Sequence, residues 1–595
     1  MDLYLFYKNR ISQLDEKEKE CINKDRKLPF YRLLVITIGI VLFYFLLQMS
    51  IYISVIVLLL FLIIFFFIVK IDNRNSAKLK EFRLLKMLNE NEIKYLDGLY
   101  PFLNDGNRYK NDTHPYSNDL DIFGNSSLFH YVNRTTLSKS SDILSDWLLF
   151  PANIEEIKDR NEAVIELSEN IEWRQKIFVH GYSLENTEKS LNNLIRWVTE
   201  NKKKSLKKKY YLFCSILSGI TLISFALSYV FSTFYIPVLL LCVHFLIIWK
   251  SNSVVKYTHN EVTNNSKILE SYSKILKEIE KEKFDSTKLK KLKEKLKSEN
   301  YFTSIEIKKL SRILDNFDIR YNVLVHFFLN SLFFWDIHQL NKLEKWKIIN
   351  RNLEEWFNCV GEFEALSSFA NLYFNNPNWC FPKINENHFS FEVKNLGHPL
   401  IKTKDRVCNN LSISSTGKIF LLTGSNMSGK STFLRSVGTN VVLALTGSCV
   451  CSTEFLFSPV KILTSMRIND SLKDNTSSFY AELKKLESII KLVDKKEKVF
   501  FLLDEPLRGT NSIDKHIGTT ALIKQFILND AVGIIATHDL LLTEMNKEFP
   551  DNIENYNFNI KINNKELYFD YLLNKGVCTS LNASILMKKI GINIQ

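Results

Sequence analysis

The sequence predicts a parallel α/β domain at the C-terminal end, preceded by an all-α region that two hydrophobic helical hairpins interrupt. Three observations predict it. Two long runs, Leu33–Val69 and Tyr210–Trp249, contain no Asp, Glu, Lys or Arg. Around them, apolar residues recur at helical spacing. From about residue 390, short β-rich runs alternate with helices, the texture of a parallel sheet.

The hairpins come first in the chain. Each uncharged run exceeds the roughly 20 residues of one membrane crossing. A tight turn at Gln48–Ser50 divides the first run, and Ser232–Pro237 divides the second, with Pro237 interrupting helical hydrogen bonding. Basic residues flank both: Arg26, Lys27 and Arg32, then Lys70, Arg74 and Lys78; Lys202–Lys204 and Lys207–Lys209, then Lys250. The turns carry no charge, so the positive-inside rule puts every flank in the cytoplasm. A multi-pass protein of the bacterial inner (cytoplasmic) membrane is expected, with its soluble domains cytoplasmic. The alternative is a helix pair buried in a soluble core. The lysine block at 202–209 suits anionic headgroups or a solvated helix end.

The 595 residues exceed one compact domain. Apolar content of 46% beside 24% charged residues describes a soluble body with greasy insertions. The net charge of +13 fits a nucleic-acid partner, an anionic membrane surface, or simply a lysine-rich composition. Nine cysteines form no CxxC pair, so reduced thiols are expected, with neither a disulfide framework nor a zinc site. The first apolar run lies behind a charged, helical start, so no cleavable signal is expected.

Residues 119–200 read as helices broken at Pro151. Residues 256–320, centred on KEIEKEKFDSTKLKKLKEKLKSEN, read as an exposed long helix or lever, with a nucleic-acid contact as the other use of its lysines. Residues 321–375 read as aromatic-rich helix.

The chemistry begins at KIFLLT, a buried strand that runs into Gly424, Ser425, Asn426, Met427, Ser428, Gly429, Lys430, Ser431 and Thr432, then into a helix. This is G-x-x-x-x-G-K-S between strand and helix, a phosphate-cradling P-loop. The glycines let backbone N–H groups face phosphates, and the helix N-terminus adds its dipole. Lys430 is expected on the β/γ-phosphates of ATP and Ser431 on Mg²⁺. A second strand, KVFFLLDE, ends in Asp504, expected to hold Mg²⁺ directly or through water, and Glu505, expected to polarise the attacking water. A third, AVGIIATHD, ends at His538, placed to bond the γ-phosphate or the catalytic water.

At these residues the chain resembles the MutS family of mismatch-repair ATPases. TGSNMSGKSTFLR resembles the family's P-loop, LLDEPLRGTNSIDKHIG its DE-x-x-RGT-x-x-x-D segment, and IIATHDLLLTEM its ATH segment. TSMRINDSLKDNTSSFYAEL resembles the stretch with the signature serine, here Ser477, with Ser478, Phe479 and Glu482. LGHPLI resembles the segment near the adenine, giving His398 that place, with Gly397 where the family has arginine. SLFHYVNRTTLSKSSDILSDWLLFPANIEEIKDRNEAVIEL and GEFEALSSFANLYF resemble the start and end of the helical core.

The resemblance implies an ABC-type, MutS-like P-loop NTPase domain behind an all-α core and lever region. It implies a homodimer in which Ser477 of one subunit faces the γ-phosphate held by the other. No mismatch-reading domain is expected, because hairpins occupy the space where it and the clamp would stand, and no trailing nuclease-like domain, because about 57 residues follow His538. The domain reading is therefore residues 1–32 as a cytoplasmic helix, 33–69 as the first hairpin and 70–118 as a linker. The helical core follows at 119–209, the second hairpin at 210–249, lever helices at 250–375 and the ATPase domain at 376–595. Three functions compete: a membrane-tethered ATPase acting on DNA, a nucleotide-switched scaffold for a protein partner, and a transport-like ATPase. Polar residues lining a path through the hairpins would favour the last.

Overall fold

The computed structural model describes residues 2–578 except 103, 183–187, 201–205, 207, 233, 298–301, 426, 468–477 and 564–565. The chain opens with two helices of unusual length, α1 (Leu3–Leu47) and α2 (Ile51–Leu96), which pack antiparallel. At 1.5 Å per residue each is about 68 Å long. The Asp2 carboxylate caps α1 by accepting from the Tyr4 and Leu5 amides, and the chain reverses at Gln48–Ser50. The outer half carries the uncharged run. The inner half is a polar stalk zipped by Arg32–Asp72 at 2.7 Å, Arg83–Glu18 at 2.9 Å and Lys86–Asp15. The expected linker at 70–118 is therefore stalk helix as far as Leu96. Buried Leu14 and Cys21 on α1 and Leu79 and Leu88 on α2 hold it so.

The stalk base is locked to the helical body by buried charge. Arg134 grips Glu92 with two hydrogen bonds, 2.6 Å to Oε1 and 3.1 Å to Oε2, and its guanidinium lies 3.5 Å from the Tyr95 ring centroid. Asn371 and Asn375 also donate to Glu92 Oε2, at 3.0 and 2.8 Å. Burial would raise the Glu92 pKa, but Arg134 and the two amides pull it below the usual carboxylate value.

The body comprises α3 (Leu128–Val132), α4 (Ser138–Leu149), α5 (Ile154–Glu169), α6 (Ile171–Gly181) and α7 (Glu188–Thr199). The second hairpin is α8 (Lys208–Phe231) and α9 (Tyr235–Val262). Pro237 does not interrupt a helix. It sits in the first turn of α9, where a missing N–H costs no intrahelical bond. Then come α10 (Ser266–Lys281), α11 (Thr287–Lys295), α12 (Thr303–Asp318), α13 (Val323–Phe333), α14 (Trp335–Ile349) and α15 (Leu353–Asn375).

Two expectations change here. Residues 119–127 form a loop rather than helix, because Asp119 and Asp121 are spent on anchoring the neighbouring domain. The lever expected over 256–320 is broken at Thr263–Asn265 and Glu282–Ser286 and folds back as α10–α12. One stripe of α10, Leu269, Tyr272, Ile275, Leu276 and Ile279, is fully buried, so its apolar spacing outweighs its exposed Glu/Lys pairs.

Two sheets follow. The smaller has the order β1 (Lys383–Ile384), β5 (Glu454–Phe457), β2 (Phe391–Leu396), β3 (Asn409–Ile413). The larger has the order β10-β9-β4-β8-β7-β6, where β4 is Ile419–Thr423, β6 Lys461–Ser465, β7 Val499–Asp504, β8 Val532–Thr537, β9 Ile553–Asn563 and β10 Glu566–Lys575. Only β10 is antiparallel in the larger sheet. The central strands β4, β7 and β8 are buried at every residue, which suits a parallel sheet covered on both faces. Helices α16 (Lys430–Thr446), α17 (Ser478–Asp494) and α18 (Ser512–Leu528) pack on it. One apolar core runs from α15 through α16 into both sheets.

Candidate nucleotide site

The loop between β4 and α16 is held open by backbone that side chains resist. Gly424 has φ 153° and Gly429 φ 103°, and a Cβ on either would collide, at 2.7 Å with Ser428 Oγ and at 2.9 Å with Tyr571 Cδ1. Met427 also takes a left-handed φ of 66°. Gly429 then caps α16, so the helix N-terminus points into the loop. Ser425 and Ser428 are buried, whereas Met427, Ser431 and Thr432 are exposed. Ser428 Oγ is buried without a hydrogen-bond partner, an orphaned donor that a phosphate oxygen would satisfy. Asn426 and Ser477 lie outside the described residues.

Lys430 Nζ donates to the carbonyls of Gly424 at 2.8 Å and Ser425 at 2.9 Å. Burial lowers its pKa, against the pull of Glu505 and Asp504. The Ser431 hydroxyl donates to Asp504 Oδ2 at 2.5 Å. A hydroxyl and a carboxylate side by side are hard oxygen donors of the kind Mg²⁺ takes alongside substrate phosphates, so the residues fit that ion.

The sequence suggests that the acidic strand neighbours the P-loop strand. In the fold β8 stands between them. Thr423 pairs with Thr537 and Asp504 with Ala536, so the three strand tips are level and present the loop, His538 and the two acids together. His538 Nε2 is 2.7 Å from Glu505 Oε1 and 3.4 Å from Lys430 Nζ. That hydrogen bond from His538 is the main reason the Glu505 pKa falls to about 2, despite partial burial. Arg508 lies 3.4 Å from Asp504 and 3.5 Å from Glu505, and Lys515 3.6 Å from Glu505.

Glu505 and Leu507 both adopt left-handed backbone, φ 51° and 63°. Glu482, 3% exposed, holds this turn by accepting from the Leu507 amide at 2.7 Å and the Arg508 amide at 3.1 Å. Burial raises its pKa. From the helical body, Asp119 accepts from Thr464 Oγ1 at 2.7 Å and the Arg467 amide at 3.0 Å. Asp121 joins Arg467 to Arg435 on α16.

Met427–Thr432 of the loop, with Asp504, Glu505, Arg508 and His538, line a cavity of about 710 Å³, a volume suited to a small-molecule ligand. The rest of the lining, its more apolar end, is Leu396, Ile401, Val407 and Phe558, with His398, Asp405 and Asn409 among them, while the Tyr571 ring lies against Gly429 of the loop. Burial, with Arg435 and Arg406 nearby, pushes the His398 imidazole down to about 4, so it is neutral at pH 7. Sequence reasoning missed Tyr571, Phe558 and the Asp119–Asp121 anchor. None stands in a motif, and each reaches the site only through tertiary packing.

Residues 420–589 match the family model for MutS domain V. The chain is 31% identical over 240 residues to the DNA mismatch repair protein MutS of Thermotoga sp. (strain RQ2), covering 40% of this chain and 29% of that protein. It is 32% identical over 219 residues to the protein of the same name from Fusobacterium nucleatum, covering 36% and 24%. It is 30% identical over 201 residues to the human MutS protein homolog 4, covering 32% and 21%. The chain thus spans between a fifth and a third of the length of these relatives. Domain V is a P-loop ATPase domain, and over these residues the chain is similar to the MutS family.

Proposed function

We propose that this chain is a membrane-anchored ATPase that binds MgATP in the cleft at the tips of β4, β7 and β8. The observation that carries the reading is the convergence of Ser431, Asp504, Glu505 and His538 on a loop whose buried Ser428 hydroxyl lacks a partner. The adenine would lie against His398 and the apolar end, and the phosphates against the Gly424–Thr432 loop. Lys430 would donate to the β/γ-phosphates, and Ser431 and Asp504 would hold Mg²⁺. When bound, the ion would neutralise phosphate charge. Glu505, fully ionised at pH 7, would orient and deprotonate the attacking water, with His538 holding its second oxygen in place.

Among the described residues, four helices are long and apolar enough to cross a membrane, α1, α2, α8 and α9. Their apolar side chains face outward, with Phe66, Tyr229 and Trp249 among the most exposed. That supports two hairpins in a bilayer and a cytoplasmic body. The names of the relatives support action on DNA, and the resemblance to the family implies a homodimer in which Ser477 completes the partner's site. The nucleotide-switched scaffold gains from the folding-back of α10–α12, which leaves no projecting lever among the described residues of 256–320. A transport path gains little from the second hairpin: Thr221 is bonded to Leu217 O and His244, and the buried hydroxyls left without a partner there, Ser218 and Tyr211, are uncharged.

The full chain purified in detergent is expected to hydrolyse ATP only with Mg²⁺, and Lys430→Ala to lose nucleotide binding while still partitioning into membranes. Undiminished hydrolysis by Lys430→Ala would overturn the assignment.

A further inference from the structure

Helix α13 has its polarity reversed for a helix in water. Its sequence, VLVHFFLNSLF, contains no Asp, Glu, Lys or Arg. Val323 is 77% exposed, Leu324 74% and Phe328 61%, and Phe327 is exposed beside them. The polar side chains face the protein instead. His326 Nε2 meets Asp336 Oδ2 at 2.9 Å, and Asn330 Oδ1 accepts the Asp336 amide at 3.3 Å. The Ser331 carbonyl meets His244 Nδ1 at 2.7 Å. A helix at a water-facing surface turns its apolar stripe inward and its polar stripe outward. This one does the opposite.

Its position supplies the reason. α13 lies along the second hairpin, with the Phe327 and Phe245 rings 6.2 Å apart. Just before α13, Arg320 donates to Asn252, which stands immediately beyond the end of the uncharged run at Trp249. At its other end α13 reaches His244, eight residues deeper along α9, or about 12 Å. So α13 enters at the level where the charged flank begins and follows the apolar surface of the hairpin inward. Its own length, about 16 Å, is half the roughly 30 Å of bilayer hydrocarbon.

We propose that α13 is a half-membrane helix, embedded in the cytoplasm-facing leaflet against α8 and α9, with lipid acyl chains as its partner. The proposal rests on the membrane reading of the hairpins. It explains why an uncharged aromatic helix keeps its polar groups on the inside: these are bonded within the protein, where lipid offers no partner. With 11 residues it is too short to cross.

Photo-crosslinking in full-length protein tests it. p-Benzoylphenylalanine replaces Leu324 or Phe328 on α13, Leu227 on α8, or Lys277 on α10, in vesicles of phosphatidylethanolamine and phosphatidylglycerol. ATP hydrolysis confirms that each variant is folded. Lipid adducts found by mass spectrometry are expected at 324 and 328 in yield comparable to 227, and absent at 277. Adducts at 227 without adducts at 324 and 328 overturn the half-membrane helix and leave the hairpins standing. Chain-to-chain crosslinks from 328 overturn it in favour of a second copy. No adduct at 227 overturns the membrane reading and this proposal together.

Discussion

Two clusters of charge, at the stalk base around Glu92 and at the strand tips around Glu505, are built to opposite rules. At the stalk base the carboxylate is saturated. Both oxygens of Glu92 are taken by Arg134, and Asn371 and Asn375 add two more donors. At the strand tips the cations stand off, at 3.4 to 3.6 Å from the carboxylates, on backbone held in left-handed conformations. Saturated charge fixes architecture. Charge left with spare capacity, on strained backbone kept in place by Glu482, is what a reaction can use.

Breaking the second cluster is expected to give the largest effect. Glu505→Gln removes the base and keeps the shape, so ATP turnover should fall by about 10²–10⁴, with nucleotide affinity within a few-fold of the parent. A turnover that survives Glu505→Gln would place the water elsewhere. The matching change at the stalk base, Glu92→Gln, should leave turnover per folded molecule unaltered, and that contrast separates the two clusters.

The next effect is on stability. Arg134→Ala strands Glu92 as an unpaired buried charge, which costs about 3–5 kcal/mol. Denaturant unfolding of the detergent-solubilised chain should show it as a lower midpoint. Replacing both partners by apolar residues, Glu92→Leu with Arg134→Met, should recover most of the loss. If the double variant is as unstable as the single one, the hub is held by packing and not by charge.

What the sequence made legible follows the range of the forces involved. The P-loop, the two acids and His538 are written locally, because a loop between strand and helix needs its glycines, lysine and serine in consecutive order. The hairpins are legible because the lack of charge needs no tertiary context. The strand order was not legible: nothing local tells Lys498–Glu505 that β8 will intervene between it and β4. The folding-back of α10–α12 was hidden by surface Glu/Lys pairs that mask a buried stripe at Leu269 and Tyr272. Asp119 and Asp121 were read as helix, yet their carboxylates serve residues more than 300 positions away. Polarity inverted over three turns in α13 falls below the length that marks a crossing.

The smallest expected effect sharpens the comparison from the adenine end of the cleft. His398 is neutral in the folded chain down to about pH 4, by burial first and then by Arg435 and Arg406, with Asp121 opposing. In the unfolded chain a histidine protonates near pH 6.5. Between those values the unfolded state binds the extra proton, so stability contributed by His398 is complete above about pH 6.5 and drains away as pH falls toward 4. The side chain keeps some solvent access, so a loss on the order of 1 kcal/mol is expected over that window. His398→Asn should flatten that part of the slope in unfolding midpoints measured from pH 7.5 to 5, a window above the Glu505 limb, which lies between about pH 4.5 and 2. An unchanged slope in His398→Asn would mean that the imidazole is solvated, and the apolar end would then have to hold an adenine without it.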